Sequence, residues 1–336
     1  MKVAELGEFG LIDVLKELID AEPRRGPAWE RLIIGIGDDA AAWRGDARTQ
    51  LATIEALVQD VHFRLSLTSW EDLGWKSLAV NLSDIAAMGG RADYALVSLA
   101  LPGETDVRDI VMFYQGALTL AREFDVAVVG GNIARAPLVV INIAILGSGD
   151  GLLRRSAARA GDQVAVTGYL GASAAGLETL NRGTKLPAKA MRELQRAFRK
   201  PYPRLKEGQA LAAHGVQAAI DVSDGLIADL GHICEESSLG ALVETAEVPV
   251  SPAAKSAFGE RALSMALSGG EDYELIFTAE AAVMESIKAH LGCPVTVIGE
   301  MVADRTKKVR LVDARGKPSR LRRRGWDHFA GKTDAP

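Results

Sequence analysis

The chain has 336 residues, 48% of them hydrophobic, and a formal net charge of −5. That apolar content builds a sizeable core and points to two domains rather than one. The acidic balance argues against nucleic acid as the main partner, and two cysteines, Cys234 and Cys293, are too few for a disulfide scaffold or a cysteine zinc site.

In chain order, the segment Met1 to Glu8 carries acids where a signal peptide needs an apolar stretch, so the protein is expected in the cytoplasm. Apolar spacing predicts helices near 9–20, 70–88 and 106–123. Strand-like β-branched runs fall around 31–36, 51–58, 94–101, 126–130 and 138–146. The longest apolar run, Leu138 to Leu146, is interrupted by Asn142 and is too short to span a bilayer, so no membrane partner is expected. Gly147-Ser148-Gly149-Asp150-Gly151 marks a boundary between domains 1–150 and 151–336. Beyond it, strands are predicted at 163–167, 217–221, 241–245, 273–278 and 295–299. Helices are predicted at 171–182, 187–199, 205–214, 225–236 and 280–291. The basic run Arg320 to Arg324 reads as a solvated strand or tail. Hairpin-like and crossover connections are mixed, which gives an α+β fold of two layered domains.

Acidic residues recur beside apolar runs, where a folded protein normally avoids charge. Asp38 and Asp39 follow Leu32 to Gly37, Asp84 interrupts Leu78 to Met88, Asp221 and Asp224 follow Ala218-Ala219-Ile220, and Glu271 and Asp272 follow Gly269-Gly270. Buried carboxylates need partners or cations. Without paired His or Cys nearby, the cation is a hard, oxygen-liganded one, Mg²⁺ before Zn²⁺. Mg²⁺ commonly accompanies phosphate, so the first reading is a phosphate-handling enzyme. On a helix Ser77, Asn81 and Asp84 share one face, either a solvent face or a functional one. Ser223 or Asp224 can cap the helix after Ile220, and the start of that helix favours phosphate. Gly130-Gly131-Asn132 follows the strand Val126 to Val129 and is placed to wrap a phosphate with its backbone N–H groups. Gly168-Tyr169-Leu170-Gly171 is a weaker nucleotide signal. No phosphate-binding Gly-x-x-x-x-Gly-Lys loop, protein-kinase signature, nucleophile elbow or histidine ligand pair is present.

Taken together, several segments resemble the thiamine-monophosphate kinase family. They are GIGDDAA (35–41), VHF (61–63), KSLAVNLSDIAAMGG (76–90), GGNIARAP (130–137), LRRSAARAGDQVAVTGYLG (153–171), AAIDVSDGLIADLGHI (218–233), LSGGEDYEL (267–275) and GWDHF (325–329). The resemblance implies two α+β domains, a homodimer formed through the N-terminal sheet, and transfer of the γ-phosphoryl group of ATP to thiamine monophosphate. It implies Asp39, Asp84, Asp221 and Asp224 as magnesium ligands, with Asp84, Asp221 and Arg155 central to catalysis. It implies Tyr114, Gly131, Asn132, Arg155 and Ser223 as ATP contacts, and His62, Glu271 and Trp326 as contacts to thiamine monophosphate. The sequence departs from the family pattern at Thr53-Ile54-Glu55-Ala56 and at Gly130-Gly131-Asn132-Ile133. Both departures are expected to fall on one metal, with Thr53, Glu55 and Asn132 as its ligands, and to make it the weakest. Two other readings stand beside the kinase: an ATP-dependent synthetase acting on another phosphorylated metabolite, and a nucleotide-binding homologue without turnover.

Overall fold

Ile141, Ile143 and Ile145 are fully buried while the residues between them are only partly covered, the period-two pattern of a strand with one covered face. The computed structural model describes residues 1–36, 40–183, 186–319 and 325. Two units separate by their contacts: Met1–Ile85 with Gly90–Asp150, and Ala86–Gly89 with Gly151–Pro336.

The first unit runs α1 (Val3–Asp20), α2 (Gly26–Arg31), β1 (Leu32–Ile34), β2 (Ala42–Trp43), β3 (Thr49–Val58), α3 (Trp70–Ala87), β4 (Arg91–Leu101), α4 (Val107–Glu123), β5 (Ala127–Arg135) and β6 (Val140–Gly149). Its main sheet has the order β3-β6-β4-β5, antiparallel except for β4 with β5. Helices α3 and α4 cross at glycines. A Cβ on Gly74 would stand 1.8 Å from Phe113 O, and one on Gly116 would stand 1.8 Å from Glu71 O. The first helix begins at Val3, earlier than its apolar spacing predicts, with a left-handed kink at Gly7. Buried Asp93 on β4 accepts from Ser148 Oγ and pairs with Arg31 and Arg91, while Arg31 also pairs with Asp46. This network and the Trp43–Tyr94 stack fasten α2, β1 and β2 onto β4.

In the second unit a 3-10 turn, Arg155–Ala157, leads into β7 (Gln163–Thr167), α5 (Ala172–Arg182), α6 (Ala188–Arg199), α7 (Leu205–Ala213), β8 (Ala218–Asp221), α8 (Leu226–Ser237) and β9 (Gly240–Glu244). Then follow α9 (Pro252–Phe258), α10 (Arg261–Ser268), β10 (Leu275–Ala279), α11 (Ala281–His290), β11 (Val295–Val302), β12 (Val309–Val312) and β13 (Pro318–Ser319). The sheet order is β13-β12-β9-β11-β7-β10-β8, with β12 and β9 parallel and the other neighbours antiparallel. Leu226, Leu230 and Ile233 of α8 bury their stripe against Val164, Val166, Ile220 and Ile276. The short α2, α9 and α10 and the strands β2, β12 and β13 are elements that periodicity alone did not predict. Among the described residues no helix is long and apolar enough to cross a membrane. The basic run 320–324 lies outside the described residues.

Candidate active site

The polar stripe on α3 is not a solvent face, because Ser77 and Asn81 are 0% exposed. Asn81 Nδ2 donates to Ser77 O at 3.0 Å, and Asn81 Oδ1 accepts from Glu55 N at 3.1 Å. The Thr53 hydroxyl donates to Asp84 Oδ2 at 2.6 Å. One amide and one carboxylate therefore tie α3 to β3, leaving a set of hard oxygen donors of the kind Mg²⁺ takes.

Strand register then separates residues that the sequence groups together. Thr53 and Glu55 pair with Ile145 and Ile143, on the covered side of the sheet. Ile54 pairs with Ala144 on the other side and is 66% exposed. Asn132 lies opposite Ser98, Ser98 opposite Asn142, and Asn142 opposite Ala56, a row on the face that Ile54 shares. Asn132 is thus on the opposite face from Glu55 and on the far edge strand. Strands are spaced about 4.8 Å apart, and Mg²⁺ binds oxygen at about 2.1 Å. Within one chain, Glu55 and Asn132 do not share an ion, contrary to expectation. Nor does Gly130-Gly131-Asn132 follow the strand as a phosphate wrap, because all three continue β5 within the β4–β5 ladder. Gly131 answers a close approach there, since a Cβ would stand 1.8 Å from Val97 O.

His62 follows β3 in a turn and its Nδ1 accepts from Val58 N at 3.0 Å. The ring's Nδ1 lone pair is thereby engaged, so a neutral ring carries its proton on Nε2 and can offer it to an anion. Tyr114 on α4 is 5% exposed, edge-on to Phe113. It serves the core, and the expected nucleotide contact finds no open ring face.

In the second unit β8 delivers Asp221, 4% exposed, into the turn Val222 to Gly225. That turn is paired with the segment before β10. Val222 N donates to Glu274 O at 2.8 Å, Tyr273 N to Val222 O at 2.9 Å, and Glu271 N to Ser223 O at 2.8 Å. Glu271 and Tyr273 both adopt left-handed backbone, at φ 58° and 51°. Non-glycine residues rarely do so, and such strain collects at ligand sites.

The N-cap of α8 is Gly225, not Ser223 or Asp224. Instead Asp229, 2% exposed, reaches back so that its Oδ2 accepts from Ser223 N, Asp224 N and Gly225 N at 3.0, 3.1 and 3.0 Å. Burial first, then the charges of Asp221 and Asp224, push the Asp229 carboxyl well above the ordinary carboxylate range. The start of α5 is arranged alike: Asp272 accepts from Gly171 N at 2.6 Å and Ser173 N at 3.0 Å. Burial pushes Asp272 up to about 7, against the pull of those two bonds. The start of α5, after Gly168, is therefore already supplied with an internal carboxylate, and the turn that precedes α8 is supplied with another. Arg204 forks onto Glu274 with two bonds of 2.6 Å, and Thr167 Oγ1 adds a third at 2.7 Å. Arg155 stands exposed on the 3-10 turn.

Asp229 and Arg204 were not singled out by motif reasoning. Asp229 had one signal, an acid inside the apolar stripe of α8. Asp38, Asp39 and Trp326 lie outside the described residues. Among the described residues no three His, Cys, Asp or Glu side chains group as metal ligands. A cation held by the described residues alone draws on hydroxyls, amides, water or the substrate's own phosphates as well as on these acids.

Residues 37–148 match the model of the AIR synthase related protein, N-terminal domain, and residues 159–312 that of the C-terminal domain. The thiamine-monophosphate kinase of Escherichia coli K12 is 40% identical over 304 residues, spanning 88% of this chain and 92% of the relative. The chain belongs to the thiamine-monophosphate kinase family. Members of that family also share its fold. The crystal structure of the kinase from Stenotrophomonas maltophilia K279a superposes with a TM-score of 0.79 at 35% identity, covering 90% of this chain and 95% of that one. The structure of AaThiL complexed with AMPPCP and TMP gives 0.76 at 32% identity, covering 98% and 99%.

Proposed function

We propose that this protein is a kinase that transfers the γ-phosphoryl group of ATP to thiamine monophosphate, giving thiamine diphosphate and ADP. The observation that carries this reading is the near end-to-end match to a family member complexed with AMPPCP and TMP. The same match tells against the synthetase and non-catalytic readings. The acceptor is itself a phosphate, with a second pKa of about 6. It is largely anionic at neutral pH and needs no general base, so positioning and charge neutralisation suffice for in-line transfer.

Asp84 with Thr53 and Glu55, together with Asp39, and separately Asp221 with Asp224, are the oxygen donors assigned to Mg²⁺. Bound Mg²⁺ would neutralise charge on the transferring phosphates. The fit rests on donor chemistry: the donors are carboxylates and a hydroxyl, hard oxygen ligands of the kind Mg²⁺ takes. Arg155, Ser223 and Gly131 are assigned to the nucleotide. His62 through Nε2–H, Glu271 from its left-handed turn, and Trp326 are assigned to thiamine monophosphate. A homodimer through the first unit's sheet is supported by Ile54, two-thirds exposed on an edge strand. Two free cysteines suit the cytoplasm.

The test is incubation of the purified protein with ATP, Mg²⁺ and thiamine monophosphate, with products separated by chromatography. Thiamine diphosphate appearing in step with ADP is the expected result. ADP without thiamine diphosphate, or no turnover at all, would overturn the assignment.

A further inference from the structure

Asp229 lies on the fourth residue of α8, yet it bonds nothing in that helix's first turn beyond the helix backbone itself. Its Oδ2 gathers the N–H groups of three consecutive residues that precede the helix. A helix cap works the other way: a side chain before the helix accepts from N–H groups inside it. The object held by Asp229 is therefore the turn, not the helix. Three successive N–H groups converging on one oxygen form an anion nest, and this nest encloses the protein's own carboxylate. The arrangement is costly in isolation, because Asp221 and Asp224 stand near enough to act on the same carboxyl. A group retained in that company is fixing something on which the neighbouring acids depend.

We propose that Asp229 is a positioning residue. By seating the N–H groups of Ser223, Asp224 and Gly225, it fixes the turn that aims Asp221 and Asp224 at a common cation and Ser223 at the nucleotide. This rests on the kinase reading for what the turn serves. The geometric claim, that the seat sets cation affinity, can be tested without turnover.

The experiment compares wild type, Asp229→Asn and Asp229→Gly. Mn²⁺ binding to the nucleotide-free protein is followed by electron paramagnetic resonance, and the Mg²⁺ requirement of thiamine diphosphate formation is measured separately. Asparagine keeps one acceptor oxygen but loses the charge. It should fold, with an unchanged far-ultraviolet spectrum and a cooperative melt, and should bind Mn²⁺ roughly 10- to 100-fold more weakly. The Mg²⁺ requirement should rise with it. Glycine leaves a carboxylate-sized space, so added formate should restore part of the lost Mn²⁺ affinity while chloride at equal ionic strength should not. A side chain that only packed the helix would not respond to formate. Wild-type Mn²⁺ affinity in the folded Asp229→Asn protein overturns the proposal, as does an equal response of Asp229→Gly to chloride and formate. If the glycine variant does not fold, the asparagine variant decides alone. A wild type that binds Mn²⁺ but makes no thiamine diphosphate overturns the kinase reading and leaves the Mn²⁺ comparison standing.

Discussion

The Thr53–Asp84 hydrogen bond makes a sharp demand on a single side chain. An amide at position 84 can still accept from the Thr53 hydroxyl, so Asp84→Asn should fold as the wild type does. It cannot supply negative charge to a cation, and turnover should fall roughly 100-fold or more. Near-normal rates in the folded variant would reduce Asp84 to a strut between α3 and β3. His62 differs because Nδ1 is already occupied by Val58 N. His62→Asn should raise KM for thiamine monophosphate and leave kcat within a few-fold; a collapse of kcat at unchanged KM would give the ring a chemical role. Glu55 and Asn132 lie on different faces of the sheet, so Glu55→Asp and Asn132→Asp should shift the Mg²⁺ requirement independently, additive within about 0.5 kcal/mol. A clear interaction in that double-mutant cycle would put both on one ion, which a second copy of the chain would have to complete. Some of the candidate residues stood out at this scale. Carboxylates beside apolar runs mark Asp84, Asp221 and Glu271 because charge in such company needs a reason. Strand facing was not legible, since a motif spelled along the chain does not say which of its residues point to which side. The seat made by Asp229 was also hidden, because a side chain bonding backward leaves no spacing signature.

At the level of elements, the reciprocal approach of α3 and α4 is the feature most open to attack. Either Gly74→Ala or Gly116→Ala places a methyl against a carbonyl oxygen, and the helices must part to admit it. Such overpacking costs about 1–3 kcal/mol, to be read as a lower midpoint in urea. Because α3 also carries Asn81 and Asp84, activity should fall at temperatures where the variant is still folded. An unchanged midpoint would mean that the crossing is looser than 1.8 Å allows. The longer elements were readable from period and propensity: α3, α4, α8 and β6 show their covered faces directly. The short ones were not. Helices α9 and α10 hold seven and eight residues, too few for a periodic pattern, and they are kept helical by packing on their neighbours. β5 runs on through Gly130 and Gly131 because β4 supplies a ladder, a long-range circumstance that outweighs the local preference of paired glycines for turns.

For the molecule as a whole, Asp272 couples stability to pH. Its carboxyl sits at about 7 when folded, against an ordinary 3.8. Between those values the folded state keeps a proton that the unfolded chain has released. The stabilisation from this group is therefore complete below about pH 4 and is lost as pH rises toward 7. Asp272→Asn has no such proton. Without added metal, the melting temperature of wild type minus that of the variant should decrease from pH 4 to 7 and level off above pH 8. A constant difference across that range would show that the carboxyl titrates normally. The same residue, with Asp229, bears on how the enzyme meets its surroundings. Inorganic phosphate and sulfate readily settle where helices begin, and an enzyme with vacant helix starts is exposed to inhibition by whichever of them is abundant. Here α5 begins against the tethered carboxylate of Asp272, and the turn before α8 is filled by that of Asp229, neither of which a buffer can wash out. Free oxyanions must compete instead at side chains such as Arg155, so whatever inhibition they exert should weaken when that one guanidinium is removed.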